Sequence, residues 1–472
     1  MSAADGWLLV VVGYAILLAW PMSTLGLISF AVRYVAAHRG QPGRNRKAAR
    51  TTPRHSRAAA QGRTGPIGRG VPPTTDGTPE HFWIIVPALN EERVVGNTVA
   101  AALTLGGSGG TLTRVLVVDD GSDDRTPEVL AAIDHPRLFV LRRELPEARK
   151  GKGEALNAAY RAILEQTRAE GIDPARVVIG IIDGDGQGSR NILLEVSRMM
   201  RDPQVGAVQV QVRIRNRDRL LGAVQDLEFG AIVSACQSLR DSIDTVGLGG
   251  NGQFTRLSAL AKLGDSPWSA CLVEDLELGL RMHLDGVGIR YTSRAAVTQQ
   301  GLVDVRRLTR QRTRWAQGNV QCARYLRALV TSPRISKTAL LEVLHYLVSP
   351  WLNAAVTVGL AGMVTIAVGA LLAGHPMPYL ASWDAMAESG EMWAAITVFP
   401  GVVWALVHRH RLGDETLPRL LVAALAYPAF LLLGLVATYR AIVRQARGQQ
   451  AWTKTERLIE PLQHPLEVAL AA

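Results

Sequence analysis

The chain has 472 residues, 48% of them hydrophobic, and a formal net charge of +11. This length allows one large domain with additional elements, and the apolar content is higher than in an ordinary soluble enzyme. The positive charge is concentrated in one segment that lacks interleaved aromatic residues, which argues against nucleic acid as a partner. The three cysteines, Cys236, Cys271 and Cys322, are too widely spaced for a disulfide framework or a Cys-x-x-Cys metal site and fit a reducing compartment.

An uncharged apolar run occupies residues 7–32. It exceeds the roughly 20 apolar residues needed to cross a bilayer, so it predicts a transmembrane helix within residues 1–33. A signal peptide is the alternative interpretation. It is disfavoured because no basic segment precedes the run and positive charge follows it.

A basic arm follows this run. Ten Lys and Arg residues lie between Arg33 and Arg69, with no Asp or Glu among them. Such a segment cannot bury a core, so residues 34–80 are predicted to form a disordered linker. By the positive-inside rule, the arm places the following domain in the cytoplasm. Contact with anionic lipid headgroups and a simple solvated spacer both remain open.

Apolar, β-rich runs alternate with helical stretches in residues 81–330, which is typical of an α/β domain with a mostly parallel sheet. The predicted strands are 82–88, 114–120, 138–143, 176–185 and 205–214. The predicted helices are 91–105, 126–133, 153–166 and 191–201. In such sheets ligands bind beyond the carboxyl ends of the strands, so we examined the polar residues that follow each strand.

The composition becomes lipid-like again in residues 331–445. Apolar runs at 339–373, 392–407 and 417–443 predict three further transmembrane helices before a tail at 446–472. Basic residues follow both the second and the third run. Charge bias therefore leaves open which side of the membrane holds the tail.

The first two predicted strands end in polar and acidic residues. Pro87 and Glu91 follow the first strand, and Asp119 and Asp120 end the second. Carboxylates in these positions can accept hydrogen bonds from a nucleobase or a ribose. An ordinary turn with a helix cap explains the second group equally well, because Asp suits both roles.

The fourth predicted strand delivers Asp183 and Asp185 to its end, with one glycine between them. Paired carboxylates suit a hard divalent cation such as Mg²⁺ or Mn²⁺, which often keeps nucleotide phosphates as further ligands. Such a cation would neutralise a departing diphosphate.

Two acidic residues, Glu274 and Asp275, begin a helical stretch. The helix dipole stabilises a carboxylate at this position in its ionised form, ready to accept a proton from a sugar hydroxyl. Helix capping alone is the alternative interpretation.

An Arg-rich helix is predicted just before the membrane region. It contains Gln311, Arg312, Arg314 and Trp315. Arginine forks suit phosphate oxygens, and the indole offers a face for a sugar ring. A helix that lies on the membrane surface with its arginines snorkelling is the alternative.

In this order and spacing, these segments resemble the inverting family 2 glycosyltransferases with a GT-A fold. The similarity is greatest to the membrane-bound branch that contains cellulose, hyaluronan, chitin-oligosaccharide and poly-N-acetylglucosamine synthases. It covers about residues 82–327, with a weaker echo at 452–457. The resemblance implies an α/β GT-A domain with a Rossmann-like, mixed and mostly parallel sheet, flanked by one N-terminal and about three C-terminal transmembrane helices.

The resemblance also implies a role for each motif. The implied donor-binding residues are Pro87, Glu91, Asp119, Asp120, Lys152 and Asp183. The metal, Mg²⁺ or Mn²⁺, is assigned to Asp183 and Asp185, with Asp185 as the direct ligand. Asp275, next to Glu274, matches the catalytic base. The diphosphate and the acceptor end are assigned to Gln311, Arg312, Arg314 and Trp315. The loop Gly249–Gly252 falls beside the acceptor.

One departure from the family pattern concerns the acceptor side. Many relatives carry Glu and Pro shortly before the Arg-rich helix, whereas this chain has Gln299 and Gln300. The four predicted spans are also fewer than in cellulose synthases, which makes a wide polymer channel less expected.

The leading functional expectation is a processive enzyme that transfers a sugar from a UDP-sugar to a growing β-linked polysaccharide by single-displacement inversion, coupled to export. The alternative is transfer of one or a few sugars to a lipid or glycan acceptor. A catalytically silent membrane scaffold is disfavoured by the intact acidic motifs. A Rossmann oxidoreductase is disfavoured because no Gly-x-Gly-x-x-Gly follows the first strand.

The expected partners are a UDP-sugar donor, a glycan or lipid acceptor and membrane lipids, without nucleic acid. Accessory export or regulatory subunits and a homo-oligomer are compatible with the sequence. The expected location is the cell membrane, with several spans and a cytoplasmic catalytic domain. The sequence leaves the identity of the sugar and its linkage open.

Overall fold

A computed structural model describes residues 77–106, 112–374, 383–449 and 457–458. The predicted span at 7–32 lies outside the described residues. So do most of the predicted linker and all of the tail motif except Arg457.

Eight strands form one mixed sheet in the order β3-β2-β1-β4-β7-β6-β8-β5. The strands are β1 His81–Ala88, β2 Leu112–Asp119, β3 Leu138–Arg142, β4 Val177–Ile181, β5 Gln187–Gly188, β6 Val205–Ile214, β7 Gln253–Arg256 and β8 Gly288–Gln299. Strands β3, β2, β1 and β4 are parallel to one another, and β6 pairs in parallel with β8. Strand β7 is antiparallel to both of its neighbours, and β5 is antiparallel to β8. The predicted mixed sheet is thereby confirmed.

Helices cover both faces of the sheet and continue beyond it. In the described residues they are α1 Val95–Leu103, α2 Thr126–Ala131, α3 Lys152–Ala169, α4 Ile192–Met199, α5 Leu220–Leu227, α6 Ser234–Ser242, α7 Leu257–Ala261, α8 Glu274–Leu284, α9 Val305–Cys322, α10 Leu326–Thr331, α11 Lys337–Leu372, α12 Trp383–Arg411 and α13 Leu417–Ala446. A π-helical segment, Glu228–Val233, joins α5 to α6.

Alternation along the central strand β1 creates the two halves of the core. Phe82, Ile84 and Val86 pack with α1 and α4 on one face of the sheet. Trp83 and Ile85 point to the opposite face and pack with α3 and α8. Since successive side chains of a strand point to opposite faces, one apolar run serves both halves. Burial on both faces explains why this strand reads as a continuous apolar run.

Helix α1 begins at Val95 instead of Glu91, the residue predicted to begin it. Asn90 adopts a left-handed backbone conformation with φ of 55°. Its side-chain amide donates to Asp123 Oδ1 at 2.6 Å, and the Glu91 N–H donates to Thr126 Oγ1 at 2.8 Å. These bonds to the neighbouring loop keep the residues after β1 out of the helix.

Among the described helices, two are long and apolar enough to cross a membrane by length and composition, namely Lys337–Gly359 within α11 and Leu417–Ala446. The third predicted span, 392–407, lies within α12 and stays a prediction. Helices α12 and α13 pack against α5 and the π-helical segment, and α11 packs against α8. The C-terminal helices therefore pack directly against the α/β domain, at α5, the π-helical segment and α8.

A buried ion network, here called the clamp, joins β6, α5 and the end of α12. Arg213 donates two hydrogen bonds to Asp226, at 2.9 and 2.8 Å, and contacts Asp414 at 3.0 Å. His408 Nε2 lies 3.0 Å from Asp226 Oδ2. Burial raises the pKa of Asp226, but the hydrogen bonds from His408 and Arg213 outweigh it and hold that pKa well below its usual range. The clamp fixes the C-terminal helices to the sheet.

Candidate active site

The carboxyl ends of β2, β1 and β4 open into one cavity of about 780 Å³. Because these parallel strands are neighbours, the residues that follow them meet at the same edge of the sheet. Most of the predicted site residues line this cavity: Pro87, Glu91, Asp120, Lys152, Asp183, Glu274, Asp275, Gln311, Arg312, Arg314 and Trp315. Asp119 and Asp185 lie behind its wall. The fold thus gathers the predicted motifs into a single site.

The two aspartates at the end of β2 have different environments. Asp119 accepts hydrogen bonds from the Ser122 N–H and from Arg142, both at 2.9 Å, so it holds the turn. Asp120 lines the cavity and pairs with Arg143 at 2.5 Å. Burial raises the pKa of Asp120, although the charge of Arg143 opposes the shift. Asp120 is therefore the member of the pair that lines the cavity.

The Asp-Gly-Asp motif lies at the floor of the cavity. Asp183 Oδ1 accepts a hydrogen bond from Lys152 Nζ at 2.6 Å. Asp185 is fully buried, and its Oδ2 accepts from the Gln300 N–H at 2.9 Å. Its Oδ1 lies 3.1 Å from Arg457 Nη2 but accepts no hydrogen bond from the described residues. A buried carboxylate oxygen with this spare capacity fits a cation ligand.

The donor set for a divalent cation consists of two carboxylates. The described residues contain no group of three His, Cys, Asp or Glu side chains that could hold a metal ion. Asp183 and Asp185 would therefore hold Mg²⁺ or Mn²⁺ only with further oxygen ligands from a bound diphosphate and water, which is the usual arrangement for Mg²⁺ at nucleotide sites.

Glu274 and Asp275 begin α8 at the opposite wall of the cavity. Asp275 Oδ1 accepts from the Leu276 N–H at 2.8 Å, and Glu274 lies 3.8 Å from Lys152. Burial raises the pKa of Glu274 to about 7, with Lys152 opposing this shift and Asp275 adding to it. Burial also raises the pKa of Asp275. Asp275 is thus a stronger base than an exposed aspartate.

Two cations stand among these acidic residues. Burial lowers the pKa of Lys152, but the carboxylates of Asp183 and Glu274 outweigh it, so this pKa lies above its usual value. Desolvation lowers the pKa of Arg314, against the attraction of Glu274 and Asp275. Both side chains are cations held inside the protein. They can meet the negative charge of a diphosphate there at little reorganisation cost.

The loop Gly249–Gly252, here called the glycine loop, allows the wall of the cavity that carries Lys152 to approach the wall that carries Asp275. Gly250 O accepts a hydrogen bond from Lys152 Nζ at 3.0 Å. A Cβ atom at Gly250 would lie 2.9 Å from that Nζ and 3.1 Å from Asp275 Oδ2. A side chain at this position would require Lys152 Nζ and the Asp275 carboxylate to move apart.

Helix α9 turns the side chains of the Gln-Arg-x-Arg-Trp segment toward the cavity. Arg312 forms a bidentate ion pair with Glu228, with hydrogen bonds of 2.8 and 2.5 Å. Its Cζ atom lies 4.7 Å from the centre of the Trp315 ring. Its charge is therefore already neutralised. Arg314 is the arginine of this segment that interacts with the carboxylates of Glu274 and Asp275.

A family model described as "Glycosyltransferase like family 2" matches residues 79–318, about half of the chain. The chain belongs to this family. The match covers the sheet, the acidic strand ends, Asp275 and the segment from Gln311 to Trp315. The observed mixed sheet agrees with the GT-A-like fold predicted for a family 2 glycosyltransferase.

Curated relatives of this family 2 glycosyltransferase include synthases of two kinds. It is 34% identical over 247 residues to a β-monoglucosyldiacylglycerol synthase of Trichormus variabilis, which covers 52% of this chain and 49% of the relative. It is 29% identical over 248 residues to a poly-β-1,6-N-acetyl-D-glucosamine synthase of Staphylococcus epidermidis, covering 51% and 54%. The chain spans about half the length of the curated relatives it matches.

Similar solved structures include a mannosyltransferase of Pyrobaculum calidifontis in complex with GDP-Man and Mn²⁺. It has a TM-score of 0.48 and 21% identity and covers 85% of this chain and 98% of its own. Residues 1–349 of S. aureus TarS give a TM-score of 0.40 and 14% identity, covering 74% and 91%.

Several site residues of this family 2 enzyme were not predicted. Glu228, which neutralises Arg312, lies in the π-helical segment, a type of helix frequent at functional sites. Gln300 exchanges two hydrogen bonds with the backbone of Leu458, at 2.9 and 3.1 Å, and so fixes Arg457 beside Asp185. Gln300, at which the chain departs from the family pattern, is thus the residue that binds the backbone of Leu458. Only the weaker resemblance at residues 452–457 hinted at this contact.

Proposed function

We propose that this family 2 glycosyltransferase transfers a hexose from a UDP-sugar to an acceptor hydroxyl by a single displacement that inverts the anomeric carbon. The observation that carries the proposal is the shared cavity, where the half-buried carboxylate of Asp275 faces Lys152, Asp183 and Arg314. A base, a diphosphate site and a metal site at one sheet edge are what such a displacement requires.

In this mechanism Asp275 accepts the proton of the acceptor hydroxyl as the oxygen attacks the anomeric carbon. Its pKa, raised by burial, brings its basicity closer to the operating pH. Glu274 shares the negative charge of the site and holds Lys152 in position. The base stands at the start of α8, where the helix dipole favours its ionised form.

The leaving diphosphate would lie between the glycine loop and the Asp-Gly-Asp motif. Asp183 and Asp185 would hold Mg²⁺ or Mn²⁺, which when bound supplies Lewis-acid stabilisation of the leaving oxygen. Lys152 and Arg314 add positive charge where the leaving group develops negative charge. Asp120 would accept hydrogen bonds from the base at the other end of the nucleotide, beside Pro87 and Glu91.

Two acceptor classes are compatible with this chemistry. A growing β-linked glycan, extended processively and exported, is supported by the position of Trp315 in the cavity and by the relatives that make poly-N-acetylglucosamine. A lipid hydroxyl is supported by the relatives that are β-monoglucosyldiacylglycerol synthases. In both cases the enzyme would work at the cytoplasmic face of the cell membrane, held there by its apolar helices.

The direct test uses detergent-purified protein, a panel of UDP-sugars and either Mg²⁺ or Mn²⁺. Released UDP and the size of the sugar product are measured together. We expect one donor to give UDP release with a β-linked product. Absence of UDP release and of product with every donor and every added acceptor would contradict the proposal.

A separate variant tests whether Asp185 binds the metal ion. Asp185→Asn should remove the stimulation of UDP release by Mg²⁺ or Mn²⁺, because it removes a charged ligand. Binding of Mn²⁺ measured by electron paramagnetic resonance in the presence of UDP should weaken in parallel. Unchanged metal dependence in this variant would place the ion elsewhere.

Product length separates the two acceptor classes, because a growing glycan gives a polymer and a lipid hydroxyl gives a product with one or a few sugars. Trp315→Ala should shorten a polymeric product more than it lowers hydrolysis of the donor, if the indole holds an acceptor sugar. Equal loss of both activities would contradict an acceptor role for Trp315.

A further inference from the structure

The cavity changes character between its two ends. The donor end is lined by charged side chains that follow the strands. The end formed by the π-helical segment and α6 is lined by Phe229, Val233, Cys236 and Leu239. Leu276, the residue after the catalytic base, also lines the cavity and packs in one cluster with side chains of α11. We call this part of the cavity its membrane-side half.

Helix α11 forms the outer wall of this half. Glu342, His345, Tyr346 and Ser349 line the cavity, and their spacing places them on one face of the helix. The opposite face carries exposed apolar residues such as Trp351 and Val358. Since Lys337–Gly359 is long and apolar enough to span a membrane, we place the bilayer on the outer side of this helix.

The two arginines of the membrane-side half are already paired. Arg240 forms an ion pair with Glu342 at 2.6 Å and lies 4.4 Å from the centre of the Tyr346 ring. Arg312 is paired with Glu228. A phosphate buried here would have to displace one of these carboxylates, because a buried anion needs a cationic partner. The lining therefore favours an uncharged ligand.

One wall of this half disfavours a buried glycan. Sugar hydroxyls require hydrogen-bonding partners when they are buried, and Phe229, Val233 and Leu239 offer none, whereas the polar side chains of this half lie on α11 and at Gln237 and Arg240. Apolar side chains stabilise hydrocarbon instead, by about 0.8 kcal/mol for each buried methylene.

We propose that the membrane-side half is an acceptor subsite for the acyl portion of an uncharged lipid with a free hydroxyl. The hydroxyl lies at Asp275, and the hydrocarbon lies against Phe229, Val233, Leu239 and the inner face of α11. The proposal rests on the proposed function, because it names the acceptor of the same reaction. The hydroxyl proton passes to Asp275, the new bond joins the lipid oxygen to the anomeric carbon, and UDP leaves.

Val233→Trp tests the subsite by filling it, and Val358→Trp is the matched control on an exposed part of α11. Both variants are assayed with the accepted UDP-sugar and three acceptors: dioleoylglycerol in mixed micelles, polyprenyl phosphate, and an oligosaccharide of the same sugar. We expect transfer to dioleoylglycerol, with kcat/KM lowered about ten-fold or more by Val233→Trp and changed less than two-fold by Val358→Trp. The Kd for UDP and the rate of donor hydrolysis by water should stay unchanged in both.

A second measurement does not depend on turnover. Dioleoylglycerol with a diazirine in one acyl chain is photolysed with the wild-type protein, and the labelled peptides are identified. Label in 228–242 and 337–349, displaced by unlabelled dioleoylglycerol and not by oligosaccharide, is expected.

The outcomes separate this proposal from the proposed function. Transfer only to polyprenyl phosphate or to oligosaccharide, or label confined to the outer faces of α11 and α13, would overturn the lipid subsite while leaving the transferase intact. Equal loss of donor hydrolysis in Val233→Trp would show a structural effect and also count against the subsite. Failure of UDP release with every acceptor would instead remove the proposed function, and specific photolabelling would then still support lipid binding.

Discussion

The chain contains two buried clusters of charge that differ in how completely their charges are satisfied. In the clamp, Asp226 receives hydrogen bonds from Arg213, His408 and the Ile214 N–H, and its pKa is held low. In the catalytic cluster, burial raises the pKa of Glu274 and Asp275, and their cations are shared among several carboxylates. The second cluster lines the large cavity at the sheet edge. A satisfied network stabilises the fold, whereas an incompletely satisfied one retains the capacity to bind charge and accept a proton.

The largest expected effect comes from the base. Asp275→Asn removes the proton acceptor but keeps the size of the side chain, so transfer should fall by about 10³-fold, within the usual range for general-base loss. UDP binding, measured by calorimetry, should remain. Full activity in this variant would place the base at another residue and remove the contrast with the clamp.

Breaking the clamp should lower the stability of the fold and leave catalysis intact. Asp226→Asn breaks a buried ion pair and should lower the free energy of unfolding by about 3 kcal/mol. The measurement is the melting temperature in detergent, which should drop by several degrees while the folded fraction keeps its kcat. A large fall in kcat without loss of stability would show that the clamp is part of the catalytic machinery.

Gly250 tests the close approach within the catalytic cluster. Gly250→Ala places a methyl group against Lys152 and Asp275, so kcat should fall by about ten-fold through misplacement of the base. Gly434→Ala is the matched control, because no atom lies within 4 Å of its added Cβ. Equal, small effects of the two changes would indicate that the site tolerates displacement.

The smallest expected effect is a shift in pH dependence. Asp275 must be ionised to act, so kcat/KM should fall as the pH decreases through its raised pKa. Glu274→Gln removes a neighbouring negative charge and should move this acid limb to lower pH by up to about one unit. Asp226→Asn should leave the limb in place. An upward shift in Glu274→Gln would contradict the like-charge coupling.

The raised pKa of Glu274 also predicts that the free energy of unfolding decreases as the pH rises toward 7. Its pKa of about 7 lies above the unfolded value, so the folded state binds the proton more tightly. This contribution stabilises the fold at low pH and is lost as the pH rises toward 7. The contribution of Asp226 has the opposite sign, since its lowered pKa stabilises the fold above about pH 4 and this stabilisation is lost in acid.

Strands that are buried on both faces were predicted well from the sequence. Strands β1, β2, β4 and β6 lie within one or two residues of the predicted starts, because a strand packed on both sides must be apolar throughout. Strands β5, β7 and β8 were not predicted. Strand β5 has only two residues, and β7 and β8 carry polar side chains such as Gln253 and Arg290. Their pairing depends on distant strands and leaves no local signal.

The chemistry of the candidate site could also be predicted, because carboxylates at strand ends and at a helix start are local features. Asp183, Asp275 and all four residues of the Gln-Arg-x-Arg-Trp segment line the same cavity, and Asp185 is buried behind its wall. The pairing of Arg312 with Glu228 and the position of Arg457 beside Asp185 could not be predicted. Each joins residues far apart in the chain, and nothing in the local pattern marks them as partners.

The sequence by itself determined which side chains stand at the ends of the strands, and thereby the resemblance to the family. Only the tertiary structure decided which charges are neutralised, since ion pairing depends on distance in space. It likewise decided that one half of the cavity has an apolar wall at Phe229, Val233 and Leu239 facing α11. The hydrophobic pattern of a sequence predicts that a residue is buried, but it does not predict which other element of the fold packs against that residue.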